Sequence, residues 1–321
     1  VLDAPGPPEA LRLRELPVPV PAPGQVLVRV RAFGLNRSEL LTRQGHSGAA
    51  VTFPRVLGIE AAGVVQDCPG GEFAAGEQVV AMMGGMGRRF DGGYAEFTCV
   101  PAAQVLRFRS DLPWSTLGAV PEMLQTASGT LRVGLDLRPG QVVLVRGGTT
   151  SVGLATTALA RRAGARVLAT TRSPQRLELL RAAGAEHALL DDGDVAAQVR
   201  RLFPDGVDGA VELVGTGTLP DTLRAVRVHG TVCFTGIVSA RWTIPEFSPH
   251  EDLPTGVRLT SYSGDAADLP AAVLQEFLDA VAAGELRVPI GATYALEEVA
   301  RAHADMEAGR VVGKLVVTTG P

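Results

Sequence analysis

Between Val142 and Thr235 lie four short, almost uniformly apolar runs: Val142–Val145, Val167–Thr170, Ala210–Val214 and Val232–Thr235. None alternates cleanly, the pattern of parallel strands covered on both faces. Segments of helical spacing separate them. Val152, Ala155, Leu159 and Arg162–Ala163 follow the first run, and Leu177 and Leu180 follow the second. Ser173-Pro174 supplies the latter helix with an N-cap and a first-position proline. The succession predicts a doubly wound α/β domain around a parallel sheet. The first quarter has another texture. Val26, Val28 and Val30 alternate with Arg29 and Arg31, as in a half-buried strand. Further short segments occur at Gly63–Val65, Gln78–Ala81 and Tyr94–Val100, with turns at Pro69-Gly70-Gly71 and Ala75-Gly76-Glu77 between them. This predicts a mostly β domain, with a change of texture near Asp111. Lys314–Thr318 returns to strand character and is expected to rejoin that first domain.

Composition narrows the classes. At 321 residues the chain exceeds one ordinary core, so two domains are expected. Hydrophobic residues make up 46% and charged residues 20%, which suits a soluble globular protein. A formal charge of −4 gives no electrostatic case for nucleic acid. No apolar run reaches the roughly 18 residues a membrane helix needs, and no charged n-region precedes an apolar stretch near the start. Cys68, Cys99 and Cys233 form no paired framework, so a reducing cytoplasm is expected.

The richest stretch runs from Val142 to Arg176. Gly147, Gly148 and Gly153 bracket a turn directly after an apolar strand and before a helix. Absent Cβ atoms let backbone approach a pyrophosphate, and a helix N-terminus adds unpaired N–H groups and positive dipole. The spacing is looser than GxGxxG, with Thr149, Thr150, Ser151 and Val152 between the last two glycines. The next strand ends Thr170-Thr171-Arg172, and no acid follows before Glu178. An acid at that strand end would receive the ribose hydroxyls of NAD. Arg172 and Arg176 instead favour a 2′-phosphate, hence NADPH. Thr171 is placed with them in the cofactor site.

With these motifs in place, the chain resembles the zinc-independent quinone-oxidoreductase branch of the medium-chain dehydrogenase/reductase superfamily. The matching parts are GLNRSEL (Gly34–Leu40), PRVLGIEAAGVV (Pro54–Val65), GEQVV (Gly76–Val80), DGGYAEF (Asp91–Phe97) and PEMLQTA (Pro121–Ala127). They continue with RGGTTSVG (Arg146–Gly153), GTVCFTG (Gly230–Gly236) and GRVVGKLVV (Gly309–Val317). The resemblance implies a GroES-like mostly β catalytic domain from residues 1–112 and 285–321. A Rossmann domain of residues 113–284 is inserted between them, with the active site in the cleft. It also implies a homodimer, and NADPH-dependent reduction of quinones or α,β-unsaturated ketones. Zinc relatives draw ligands from three segments. Here those segments hold Asn36, Ile59 in place of histidine, and Pro121–Ala127 without cysteine, while Cys99 stands alone. A zinc site needs three protein ligands, so no metal is expected. By the same resemblance Asn36 hydrogen-bonds near the nicotinamide ribose or substrate oxygen, and Thr126 lies beside nicotinamide. Gly236 and Ile237 offer backbone to its carboxamide, and Lys314 lies near the cofactor.

One departure concerns proton donation. Some relatives have a tyrosine after the NxxD/E segment, whereas Leu40–Ser47 has none. That leaves His46, Tyr94, Tyr262 or water as donor. Two other functions stay open: reduction of an enoyl thioester or polyketide-like substrate, with Arg88 and Arg89 of a Met82–Arg89 loop meeting an anion, and an NADPH-binding structural or sensing protein with little turnover.

Overall fold

The computed structural model describes residues 1–320. The chain divides into two compact units, Val1–Gln125 with Asp265–Pro321, and Thr126–Gly264. In the first, β1 (Gln25–Gly34) leads to α1 (Arg37–Arg43), and then β2 (Glu60–Asp67), β3 (Gln78–Met82), β4 (Phe97–Pro101) and β5 (Val105–Arg107) follow. Helices α2 (Trp114–Ala119) and α3 (Pro121–Gly129) come next.

The second unit alternates strand and helix: β6 (Val142–Arg146), α4 (Ser151–Arg162), β7 (Arg166–Thr171), α5 (Leu177–Ala182), β8 (His187–Leu190) and α6 (Val195–Leu202). It continues with β9 (Val207–Glu212), α7 (Leu219–Ala225), β10 (Val226–Phe234), α8 (Pro249–Asp252) and β11 (Arg258–Ser261). The chain then returns to the first unit through α9 (Ala271–Ala282), β12 (Ile290–Ala295), α10 (Val299–Glu307) and β13 (Lys314–Thr318).

The first unit is built on a seven-stranded sheet, ordered β12-β13-β1-β2-β3-β5 with β4 also on β1. The expected return of Lys314–Thr318 takes place: β13 pairs antiparallel with β1, Gly34 opposite Val316. Val26, Val28 and Val30 enter a core with Phe33, Leu57, Val79 and Tyr94. Ala32 faces the other way, onto Ala119 of α2 and Val316.

The second sheet is six-stranded and parallel, ordered β11-β10-β9-β6-β7-β8. Its apolar runs do not alternate because both faces are covered. Val143, Val145, Val167 and Ala169 pack against Leu154 and Ala160 of α4 and Leu180 of α5. Leu144 and Leu168 face Val195 and Val199 of α6 and Leu223 of α7. The α/β fold class expected from patterning is the one observed.

The units divide after Gln125 and before Asp265, inside the 113–284 span implied by the resemblance. Two contacts explain the shift. A Cβ on Gly118 of α2 would lie 2.6 Å from the Ala32 side chain. Gln275 of α9 accepts from the Arg109 N–H at 2.9 Å and donates to its carbonyl at 2.8 Å. Ser173 also departs from expectation. Its hydroxyl donates to Gln175 Oε1 at 2.7 Å and caps nothing, and a 3-10 turn at Pro174–Arg176 precedes α5. Among the described residues no helix is long and apolar enough to cross a membrane.

Candidate functional site

Ligands of parallel sheets gather at the carboxyl ends of the strands, and in the second unit that end is shaped by the β6–α4 turn. Gly147 has φ +83°, a conformation that strains any side chain. A Cβ on Gly153 would lie 2.5 Å from the Gly147 carbonyl oxygen, so helix and turn meet backbone to backbone. Thr150, which looked like a departure from the glycine pattern, is the N-cap. Its hydroxyl accepts from the Gly153 N–H and donates to the Gly147 carbonyl, both at 2.9 Å. Ser151 and Val152 are then the first two helical positions, whose N–H groups have no acceptor within the helix. Thr149 and Thr150 are half-buried at the tip. The turn is pinned to β7, since Gly147 N–H donates to Thr170 Oγ1 at 3.1 Å and Gly148 N–H to the Thr170 carbonyl at 2.9 Å. These features fit a pyrophosphate cradle.

At the end of β7, Thr171 is buried and its hydroxyl accepts from the Ser173 N–H at 3.2 Å. Arg172 is exposed and Arg176 half-buried. Among the described residues neither forms an ion pair, whereas nearby Arg166 and Arg181 are held by Glu186 and Glu178. Glu178, the nearest acid in sequence, is thus already engaged.

Two carboxylate anchors that sequence reasoning missed lie beneath this end. Arg146, immediately before Gly147, is fully buried. It donates to Asp191 through Nε and Nη2 at 2.8 Å each, and pairs with Asp221 of α7. Glu212, at the end of β9, accepts from Val214 N–H (2.7 Å), Gly215 N–H (3.1 Å), and the hydroxyls of Thr218 (3.0 Å) and Thr222 (2.6 Å). Burial raises its carboxyl pKa, and those donors oppose the rise. The segment holding Gly236 and Ile237 is laced to the same loop: Gly236 N–H donates to the Glu212 carbonyl at 3.0 Å and Val238 N–H to that of Leu213 at 3.2 Å. A charge closing an apolar strand is the signal that marks Arg146 and Glu212 in the sequence. Thr126 lies in α3 and is half-buried.

The first unit holds a second constellation, the buried group Asn36, Glu39, Glu60 and Lys314 with Glu122 at its edge. Lys314 Nζ lies 2.9 Å from Glu60 Oε1 and 3.6 Å from Glu122 Oε2, and donates to Asn36 Oδ1. Asn36 Nδ2 donates to Glu60 Oε1 at 2.8 Å and to Glu39 Oε1 at 3.4 Å. Glu60 Oε2 accepts from the Glu122 N–H at 2.7 Å. Glu39 accepts from Asn36 N–H at 3.1 Å and Ile59 N–H at 3.0 Å. Gly34 makes room, since a Cβ there would lie 2.4 Å from Lys314 Cε and 2.5 Å from Glu60 Oε1. Burial alone would lower the Lys314 pKa, but the charges of Glu60 and Glu122 leave it raised. Burial pushes the Glu39 carboxyl up to about 7, the Ile59 N–H opposing and the Glu60 charge adding. Asn36 and Lys314, 278 positions apart, are thus in direct contact. Glu39 was missed, although its place three residues after Asn36, just before the apolar pair Leu40-Leu41, was its signal.

The remaining candidates lie elsewhere. His46 is exposed on the loop after α1. Tyr94 sits in the core of its unit, stacked on Phe33 with ring centroids 4.5 Å apart. Arg43 Nε donates to His303 Nδ1 at 3.3 Å, so the neutral ring carries its proton on Nε2 and donates to the Tyr94 oxygen at 3.0 Å. Burial raises the Tyr94 phenol well above its usual pKa, with the charges of Glu39 and Glu60 adding. Among the described residues no three His, Cys, Asp or Glu side chains gather as a metal-binding group.

Two family models match the chain: an alcohol dehydrogenase GroES-like domain over residues 22–110 and a zinc-binding dehydrogenase over residues 183–317. The quinone oxidoreductase of Rattus norvegicus is 30% identical over 329 residues, spanning 97% of this chain and 94% of that protein. A 2-haloacrylate reductase of a Burkholderia species is 28% identical, spanning 99% and 97%. Among solved structures, a mycobacterial protein complexed with NADPH superposes with a TM-score of 0.84 at 27% identity, covering 99% of this chain and 98% of that one.

Proposed function

Since the chain belongs to the quinone-oxidoreductase branch of the medium-chain dehydrogenase/reductase superfamily and is an oxidoreductase, we propose that it reduces quinones or α,β-unsaturated ketones with NADPH and without a metal. The observation that carries the cofactor choice is the pair of guanidinium groups, Arg172 and Arg176, without carboxylate partners after β7. Placed before a helix N-terminus they oppose its dipole, and a 2′-phosphate reverses that penalty. Gly147, Gly148 and the N–H groups of Ser151 and Val152 hold the pyrophosphate, with Gly236, Ile237 and Thr126 toward the nicotinamide.

Bound reduced nicotinamide supplies the hydride. The chain's own part is to receive the charge that appears on the acceptor oxygen, through the Asn36 amide and the Lys314 ammonium, held in place by Glu60. The ligand chemistry of this region supports a metal-free reaction. Asn36 and Ile59 stand in two segments that supply zinc ligands in metal-dependent relatives, and Glu60 is committed to Lys314. The proton is taken from water or from exposed His46.

Titration with NADPH and NADH tests the cofactor assignment. Each guanidinium is given about 1 kcal/mol after solvent screening, so the double variant R172A/R176A is expected to weaken NADPH about 30-fold and leave NADH unchanged. Equal affinities of the native protein for both cofactors overturn the assignment. Turnover is expected with quinones and enones and is expected to survive dialysis against a chelator.

A second reading, an acceptor bearing a carboxylate, is favoured by Arg88. This half-buried residue bonds to Ser38 Oγ two residues beyond Asn36, and its Nε has no partner. A lower KM for an unsaturated carboxylate than for its methyl ester, lost in R88M, supports it.

A further inference from the structure

We infer that Glu39 is a positioning residue for this reaction: by holding or releasing one proton, its carboxyl sets whether the second amide hydrogen of Asn36 stays inside the protein or is offered to a bound oxygen. The inference rests on the role proposed for Asn36, and its argument begins with the orientation of that amide. An ammonium has donors only, so the Asn36 atom facing Lys314 Nζ is Oδ1. The two hydrogens of Nδ2 then point to carboxylates. One reaches Glu60 Oε1 at 2.8 Å, and the other reaches Glu39 Oε1 only at 3.4 Å. The first is a firm bond and the second a long one, open to competition.

The two acceptors differ in their surroundings. Glu60 Oε1 lies 2.9 Å from Lys314 Nζ and is paired with it. Glu39 has no such cation. Its oxygens accept from the Asn36 backbone N–H and amide and from the Ile59 N–H, in a side chain 1% exposed. Charged and titratable groups face it from several elements. Glu60 on β2 and Glu122 on α3 carry carboxyls, and Lys314 on β13 is shared between those two. The Tyr94 phenol senses Glu39's charge, while Arg43 on α1 is engaged by Glu307 and by neutral His303. One nearby ammonium therefore serves three carboxyl groups, and Glu39 is the one that takes the proton, near neutrality.

Protonated Glu39 is a weak acceptor, and the second Asn36 N–H is released toward a ligand oxygen. Ionised Glu39 draws that hydrogen back through a charge-assisted bond of roughly twice the strength. The acceptor's KM is expected to be low below about pH 7 and to rise about fivefold above it, the equivalent of about 1 kcal/mol.

The test is the pH profile of KM for a quinone or enone in the native protein and in E39Q. Glutamine keeps an oxygen for the Ile59 N–H and cannot ionise, so its profile is expected to be flat. An E39Q profile that rises like the native one overturns the inference. Infrared titration of the protein with isotope-labelled glutamate, taken as the difference between the native protein and E212Q so that the other raised carboxyl, Glu212, is assigned, gives a second readout that needs no turnover. A protonated carboxyl band that disappears near pH 7 supports the inference, and its absence at pH 6 overturns it. If no quinone or enone is reduced while that band is present, the proposed reaction fails and the titration of Glu39 stands.

Discussion

Replacing Lys314 with methionine removes the one ammonium from a buried group of carboxylates while keeping most of the side-chain volume. Glu60 is fully buried with Lys314 Nζ 2.9 Å away. Without that partner, the least costly response at pH 7 is for Glu60 to bind a proton. Taking a carboxyl from its unfolded pKa of about 4.3 to neutral pH costs about 4 kcal/mol, at about 1.4 kcal/mol per unit. That lies within the roughly 3–5 kcal/mol seen when one partner of a buried pair is removed. The sign of the pH dependence follows from linkage. In K314M the folded state raises the Glu60 pKa and binds more protons than the unfolded state, so stability relative to native falls as pH rises. The deficit is expected to be about 4 kcal/mol at pH 7 and to shrink by about 1.4 kcal/mol per unit toward pH 5. Trp114 lies in α2 of the same unit, and Trp242 is the only other tryptophan. Urea unfolding followed by fluorescence in a W242F background therefore reports that unit. A deficit under about 1 kcal/mol at pH 7, or one independent of pH, refutes the reasoning.

Three further outcomes are expected. R146M removes the buried guanidinium from Asp191 and Asp221 and is expected to cost about 3–5 kcal/mol in the second unit, read by Trp242 fluorescence in a W114F background. T150A removes the hydroxyl that joins Gly147 to Gly153 and is expected to cost about 1 kcal/mol in urea unfolding and to weaken NADPH severalfold in titration. Burial, with the Arg43 charge adding, lowers the His303 pKa to about 3. The unfolded ring binds protons first, so native stability is lost as pH falls from about 6.5 toward 3, on the order of 5 kcal/mol in all. H303Q is expected to flatten that limb of a stability-against-pH curve, and an unchanged slope would show that the ring is not held neutral.

Much of this was legible in the chain itself. The apolar runs at Val142–Val145 and Val167–Thr170 announced covered parallel strands, and Leu154, Leu180 and Val199 cover them as such runs require. The turn at Gly147–Gly153 was recognisable because a strand, glycines and a helix follow one another locally. Its cap was not, since Thr150 acts through a hydroxyl bridging both sides of the turn, and spacing alone does not reveal that. The unit boundaries shifted because Gly118 and Gln275 make contacts remote in sequence.

The sequence by itself determined the alternation of strand and helix, the glycine-rich turn between β6 and α4, the lack of an acid after β7 and the resemblance to a family. All of these are local patterns, set by periodicity, steric freedom at glycine and helix-end chemistry. Only the tertiary structure decided which buried charges meet. Lys314 reaches Asn36 and Glu60 because β13 pairs with β1 and β1 with β2, and because Gly34 leaves the space between them. Arg146 finds Asp191 and Asp221 only once α7 is laid over the sheet. A lone charge in an apolar segment indicates that a partner must exist, since burying it unpaired is too costly. Which residue answers it depends on strand order and register, and those are fixed by contacts far apart along the chain.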